Sequence, residues 1–140
     1  MIAGRVMGVD YGMRRVGIAI SDSMGVVATP SCKLDVETMA DAVSQTVALI
    51  AEKDVAQIVV GLPLHMNGTH GELAEAAEKF AGKVREASGL PVTMWDERLS
   101  SKEAERVLLQ ADTSRNKRKK VIDKMAAQIM LQSYLDAQAF

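Results

Sequence analysis

The stretch Ala56–Leu62, AQIVVGL, limits the fold more than any other part of the chain. Its apolar residues leave no polar side, so as a strand it must be covered on both faces. Helical patterns stand on either side of it. Glu37 to Lys53 carries Met39, Ala40, Val43, Val47 and Ile50 at helical spacing, and Glu72 to Ala87 reads as a second amphipathic helix stopped at Ser88-Gly89. A buried parallel strand between helices points to an α/β fold.

The rest of the chain adds to that core. Arg5 to Asp10 alternates, with Val6, Gly8 and Asp10 on one face and Met7 and Val9 on the other. Val16 to Ser21 follows after Tyr11–Arg15, which reads as a hairpin. A third strand is expected over Val26 to Thr29, ending at Pro30. Val92 to Trp95 is a short strand, and Ser100 with Glu103 forms a capping-box pattern for a helix reaching about Gln110. The last helix begins near a basic cluster, with Ile122, Met125, Ala126, Ile129, Met130 and Tyr134 as its inward stripe.

Three antiparallel strands followed by α-β-α-β-α predict a mixed five-stranded sheet flanked by helices. Right-handed crossovers place the fourth strand beside the first and the fifth outside it. The carboxyl ends of strands one, four and five then share a rim, where open α/β sheets bind ligands. Asp10, the Pro63–Gly71 loop and Asp96-Glu97 all fall on it.

Composition closes off several classes. With 140 residues, 48% hydrophobic and 25% charged, the chain suits one globular domain, 1–140, and not a disordered segment. Its apolar runs are short, and the N-terminus enters a strand pattern without the apolar core of a signal peptide, so a cytoplasmic protein without a membrane partner is expected. Cys32 alone gives neither an internal disulfide nor a multi-cysteine zinc site. Charge is unevenly spread. Residues 115–124, RNKRKKVIDK, hold six bases and one acid, a net +5, against 11 bases and 17 acids elsewhere. Arg115, Lys117, Arg118, Lys119, Lys120 and Lys124 thus form a basic segment suited to an anionic partner.

Carboxylates gathered on one rim repel each other, and a hard cation such as Mg²⁺ or Mn²⁺ is the natural reason to keep them together. Two such ions activate a water and stabilise the leaving oxygen in phosphodiester hydrolysis. Asp10 and Asp123 supply two corners, with Glu97 or Asp96 as the third; strand parity sends Asp96 and Glu97 to opposite faces, and the one left over pairs with Arg98 or caps the next helix. Singly, each acid also suits a turn, a strand end or a salt bridge. His65 and His70 read as loop residues within reach of substrate. Aromatics make up only 4% of the chain, too few for a reader that stacks single-stranded bases, so backbone and shape recognition is expected.

The run Val9-Asp10-Tyr11-Gly12-Met13-Arg14-Arg15-Val16-Gly17-Ile18-Ala19 resembles the opening motif of the YqgF/RuvX family. Val60-Gly61-Leu62-Pro63, Asn67-Gly68-Thr69, Asp96-Glu97-Arg98-Leu99-Ser100 and Asp123-Lys124-Met125-Ala126-Ala127 with Leu131–Leu135 follow in the family's order, over essentially the whole chain. The resemblance implies an RNase H-like fold akin to the resolvase RuvC, and a nuclease that processes the 5′ end of pre-16S ribosomal RNA. By position it makes Asp10, Glu97 and Asp123 the acidic catalytic and metal-binding set, Asp96 being the alternative, and puts Arg14 and Arg15 near substrate. Arg98 and the bases of 115–124 join the expected nucleic-acid contacts. Structured RNA is the expected substrate, with a pre-ribosomal particle as partner and a monomer or homodimer as the working form. A resolvase of branched DNA and a non-catalytic RNA-binding or ribosome-assembly module are the alternatives. An actin- or sugar-kinase-like ATPase, suggested by Asp-x-Gly, calls for two such domains where 140 residues provide one.

Overall fold

The computed structural model describes residues 4–65, 67–99 and 115–139, and over 115–124 the backbone alone. Strands β1 (Arg5–Asp10), β2 (Arg15–Ser21), β3 (Ala28–Asp35), β4 (Val55–Leu62) and β5 (Val92–Asp96) alternate with helices α1 (Met39–Glu52) and α2 (Glu72–Ser88), and α3 (Arg115–Gln138) ends the chain. The sheet order is β3-β2-β1-β4-β5, with β1–β2 and β2–β3 antiparallel and β1–β4 and β4–β5 parallel. This is the mixed sheet expected from the order of elements. The helix expected from Ser100 to about Gln110 lies outside the described residues. No helix among the described residues is long and apolar enough to cross a membrane.

The alternation of β1 divides the core. Met7 and Val9 join Ile58, Val60, Ile50, Phe80 and Val84 on the side of α1 and α2, where Tyr11 stacks on Phe80 at 4.7 Å. Val6 turns the other way, to Ala19, Val59, Met130, Leu131 and Tyr134 on the side of α3. Fully burying one such aliphatic or aromatic side chain contributes about 1.5–3 kcal/mol. Thr38 caps α1 by accepting the N–H of Asp41 at 3.1 Å, and Gly89, at φ 71°, ends α2 in the left-handed conformation that glycine adopts most readily.

Two sequence expectations need correction. The third strand does not stop at Pro30; it runs from Ala28 to Asp35, because β3 is an edge strand and the register shift between Ile18 and Ala19 accommodates a residue without an N–H. Of the expected stripe on α3, Met130 and Tyr134 are buried, but Ala127, Leu131 and Leu135 complete it in place of Met125, Ala126 and Ile129, which are only half-buried; the side chain of Ile122 lies outside the described residues. Polar anchors set this rotation. Gln132 accepts the N–H of Ala28 at 2.8 Å and donates to the carbonyl of Val26 at 2.9 Å, while Trp95 Nε1 donates to Ser133 Oγ at 3.2 Å.

Candidate active site

Missing side chains bring α3 close to the sheet. A methyl group at Gly8 on β1 would sit 2.7 Å from Leu131 Cβ and 3.3 Å from the Ala127 carbonyl, closer than packed atoms tolerate. At Gly17 on β2 a methyl group would lie 3.6 Å from both Ala127 Cβ and Asp10 Cβ. The strands and the helix therefore meet almost backbone to backbone next to Asp10. The helix that makes this contact carries Asp123 one turn before Ala127.

Asp10 is the last residue of β1, and Glu97 directly follows β5. The Glu97 N–H donates to the Leu62 carbonyl at 3.1 Å, carrying the β4–β5 pairing one step past the Leu62–Asp96 register. Its side chain then fills the space left by Gly61, where a methyl group would lie 2.9 Å from Glu97 Cγ and overlap its carboxyl. There the Glu97 and Asp10 carboxyls share a hydrogen bond. Burial, followed by the charge of Asp10, pushes Glu97 up from 4.5 to about 8. Near neutral pH the pair thus keeps a proton that two exposed carboxyls would release.

Asp96 is held elsewhere. Arg98 donates its backbone N–H to Asp96 Oδ1 at 2.9 Å, its Nε to both carboxylate oxygens at 3.1 and 3.0 Å, and its Nη2 to Oδ2 at 2.7 Å. This charge-assisted fork lowers the Asp96 pKa and raises that of Arg98. Of the two acids that parity left open, the structure sets Glu97 against Asp10 and Asp96 against Arg98.

The other expected site residues fall at varied distances from this pair. Arg14 is exposed on the β1–β2 turn beyond Asp10, and Arg15 is exposed as the first residue of β2. The backbone of 115–124 forms the first turns of α3, so the basic segment is part of the helix and not a lead-in to it; the side chains of Arg115, Lys117, Arg118, Lys119, Lys120, Asp123 and Lys124 lie outside the description. His65 packs against Gly71, and His70 pairs with Glu78 of α2 at 2.7 Å, so this histidine is engaged with its own chain.

Among the described residues, no group of three His, Cys, Asp or Glu side chains is placed to hold an ion. The Asp10–Glu97 pair nevertheless suits a hard divalent cation in kind, being two half-buried oxygen donors whose mutual repulsion a cation would relieve. Spacing and motif order do not single out Gly61 as the residue that admits Glu97. Its signal was present: a residue without a side chain beside Val60 and Leu62 in a strand that otherwise packs bulky groups.

The family model described as "RuvX: Holliday junction resolvase" matches residues 4–137. A protein of Geobacillus kaustophilus named "Putative pre-16S rRNA nuclease" is 50% identical over 136 residues, covering 96% of this chain and 99% of that one. A protein of the same name from Oceanobacillus iheyensis is 43% identical over 134 residues, 94% and 98% of the two chains. Among solved structures, T. thermophilus RuvC in complex with a Holliday junction substrate superposes with a TM-score of 0.62 at 14% identity, covering 96% of this chain and 95% of that one. The yeast mitochondrial Holliday junction resolvase Ydc2 gives 0.61 at 13% identity, with 98% and 80% covered. These two likenesses establish the RNase H-like resolvase fold.

Proposed function

The chain belongs to the RuvX family, and on that premise we propose that it is a single nuclease domain, 1–140, acting as a metal-dependent endonuclease on structured RNA. In this reading it processes the 5′ end of pre-16S rRNA in the cytoplasm during ribosome biogenesis, on a pre-ribosomal particle. The half-buried Asp10–Glu97 pair carries the proposal, because holding two acids together against their mutual repulsion is costly unless a ligand uses them. Asp10, Glu97 and Asp123 would hold Mg²⁺ or Mn²⁺. Two such ions, when bound, supply an activated water and stabilise the leaving oxygen.

The chain's own residues do the rest. Gly61 and the Leu62 carbonyl orient Glu97, and Gly8 and Gly17 let the helix bearing Asp123 approach Asp10. Without a metal, Asp10 and Glu97 would hold a shared proton between them. Arg14 and Arg15 on the rim, with the bases of 115–124, offset phosphates flanking the scissile one.

Cleavage of a pre-rRNA 5′-leader fragment tests the reading, with a four-way DNA junction run beside it in Mg²⁺, Mn²⁺ or EDTA. Wild type is expected to cut the RNA only with metal, and Asp10→Asn to cut nothing. Neutralising Lys117, Arg118, Lys119 and Lys120 together should flatten the log–log salt dependence of binding by up to about 3. The family description favours a second reading, resolution of branched DNA, which the junction arm detects. Binding without cleavage, unaffected by Asp10→Asn, would leave an RNA-binding assembly module instead.

A further inference from the structure

We propose that Asp96 and Arg98 are positioning residues: their closed fork sets the turn that carries Glu97 and ties it to the Asn67–Thr69 loop. The inference rests on the nuclease reading and assigns Arg98 a different task from the phosphate contact suggested by its charge. Glu97 stands between the two in sequence, and the fork joins them by side chain and by backbone. The Arg98 N–H on Asp96 Oδ1 closes a tight side-chain turn around Glu97, and the guanidinium plane locks the same carboxylate from outside. Both neighbours of Glu97 are therefore fixed, and its own N–H is held by Leu62. Little freedom remains except at its side chain, which Gly61 admits toward Asp10.

The far side of the guanidinium meets the loop. A methyl group at Gly68, where φ is 87°, would lie 3.4 Å from Arg98 Nη1. The loop has its own closure: His65 N–H donates to the Thr69 carbonyl at 3.0 Å, Gly68 N–H to the His65 carbonyl at 2.8 Å, and Thr69 N–H and hydroxyl to Asn67 Oδ1 at 3.1 and 2.7 Å. Arg98 is thus wedged between a carboxylate and a self-bonded loop. A planar fork that grips the carboxylate along one edge while the other packs beside Gly68 fits this place; a lysine ammonium, a single point of charge, does not.

Arg98→Lys and Asp96→Asn, in the full chain, separate positioning from phosphate binding. If the fork positions Glu97, both variants lower kcat on structured RNA by about 10²-fold, because small misplacements of catalytic groups are costly. KM should stay within about twofold of wild type, since no substrate contact is lost. Mn²⁺ titration by calorimetry, without RNA, should show about tenfold weaker binding in both, as when the support of a metal ligand is removed. Thermal unfolding of each variant identifies any that fails to fold, and the other variant then decides. Arg98→Lys with kcat retained and a raised KM would make Arg98 a phosphate contact and overturn the proposal. Unchanged Mn²⁺ affinity in both folded variants would overturn it too. The Mn²⁺ titration involves no RNA, so a wild type that fails to cut RNA counts against the nuclease reading, while the titration still judges the fork.

Discussion

The two faces of the sheet solve opposite packing problems. Toward α1 and α2 the strands offer bulk, with Met7, Ile58 and Val60 meeting Phe80, Val84 and Ile50. Toward α3 they offer gaps, with Gly8, Gly17 and Ala19 facing Ala127 and Leu131, and Gly61 making room for Glu97. The first face gains stability from apolar area. The second gives up part of that gain so that a helix and an acid can come close, and the two acids stand at its end. Substitutions should therefore separate the faces: one governs how firmly the chain folds, the other what the folded chain can do.

The largest effect is expected on the bulky face. Phe80→Ala should cost about 3–5 kcal/mol in urea unfolding while leaving cleavage per folded molecule unchanged. A matching loss of cleavage would show that the faces are coupled.

A smaller effect is a dependence on pH. Glu97 titrates near 8 when folded and at 4.5 in its ordinary state, so between those values the folded chain binds the extra proton. Metal-free stability should be full below about pH 4.5, fall as pH rises, and level off above about 8, a total of at most a few kcal/mol once solvent screening of a half-buried group is allowed for. Unfolding in EDTA at pH 5, 7 and 9 measures the slope, which Glu97→Gln should abolish and Asp10→Asn reduce.

Two glycines then give a matched pair. Gly8→Ala pushes a methyl group into Leu131 and should cost about 1–3 kcal/mol, with cleavage falling further than stability because the displaced helix carries Asp123. Gly82, half-buried on α2, has nothing within 4 Å of a methyl group, so Gly82→Ala should stabilise by roughly 0.8 kcal/mol and leave cleavage alone. Opposite signs from one chemical change would sharpen the contrast; equal signs would break it.

Much of this could be read from the sequence because it follows from period and order. The apolar run at Ala56–Leu62, the alternation of β1 and the order of elements dictate the layers, the strand neighbours and the rim on which Asp10 and Glu97 meet. What was hidden depends on contacts between distant residues. The rotation of α3 is set by Gln132 reaching Val26 and Ala28, which no local pattern records. Parity separates Asp96 from Glu97 without saying which side is occupied; the answer lies in the gap at Gly61 and in the fork at Arg98. The pairing of His70 with Glu78 joins a loop to a helix face and is equally invisible to spacing.

Pro30 has one more consequence. It sits in the outermost strand, beside a register shift, where the backbone would otherwise present a continuous ladder of donors and acceptors. An open edge of that kind invites strand addition, by a second copy or by a partly unfolded neighbour, and ends in aggregation. The missing N–H and the register shift interrupt the ladder near the start of β3. The β3 edge is thereby a poorer template for strand addition than an unbroken strand of the same length would be.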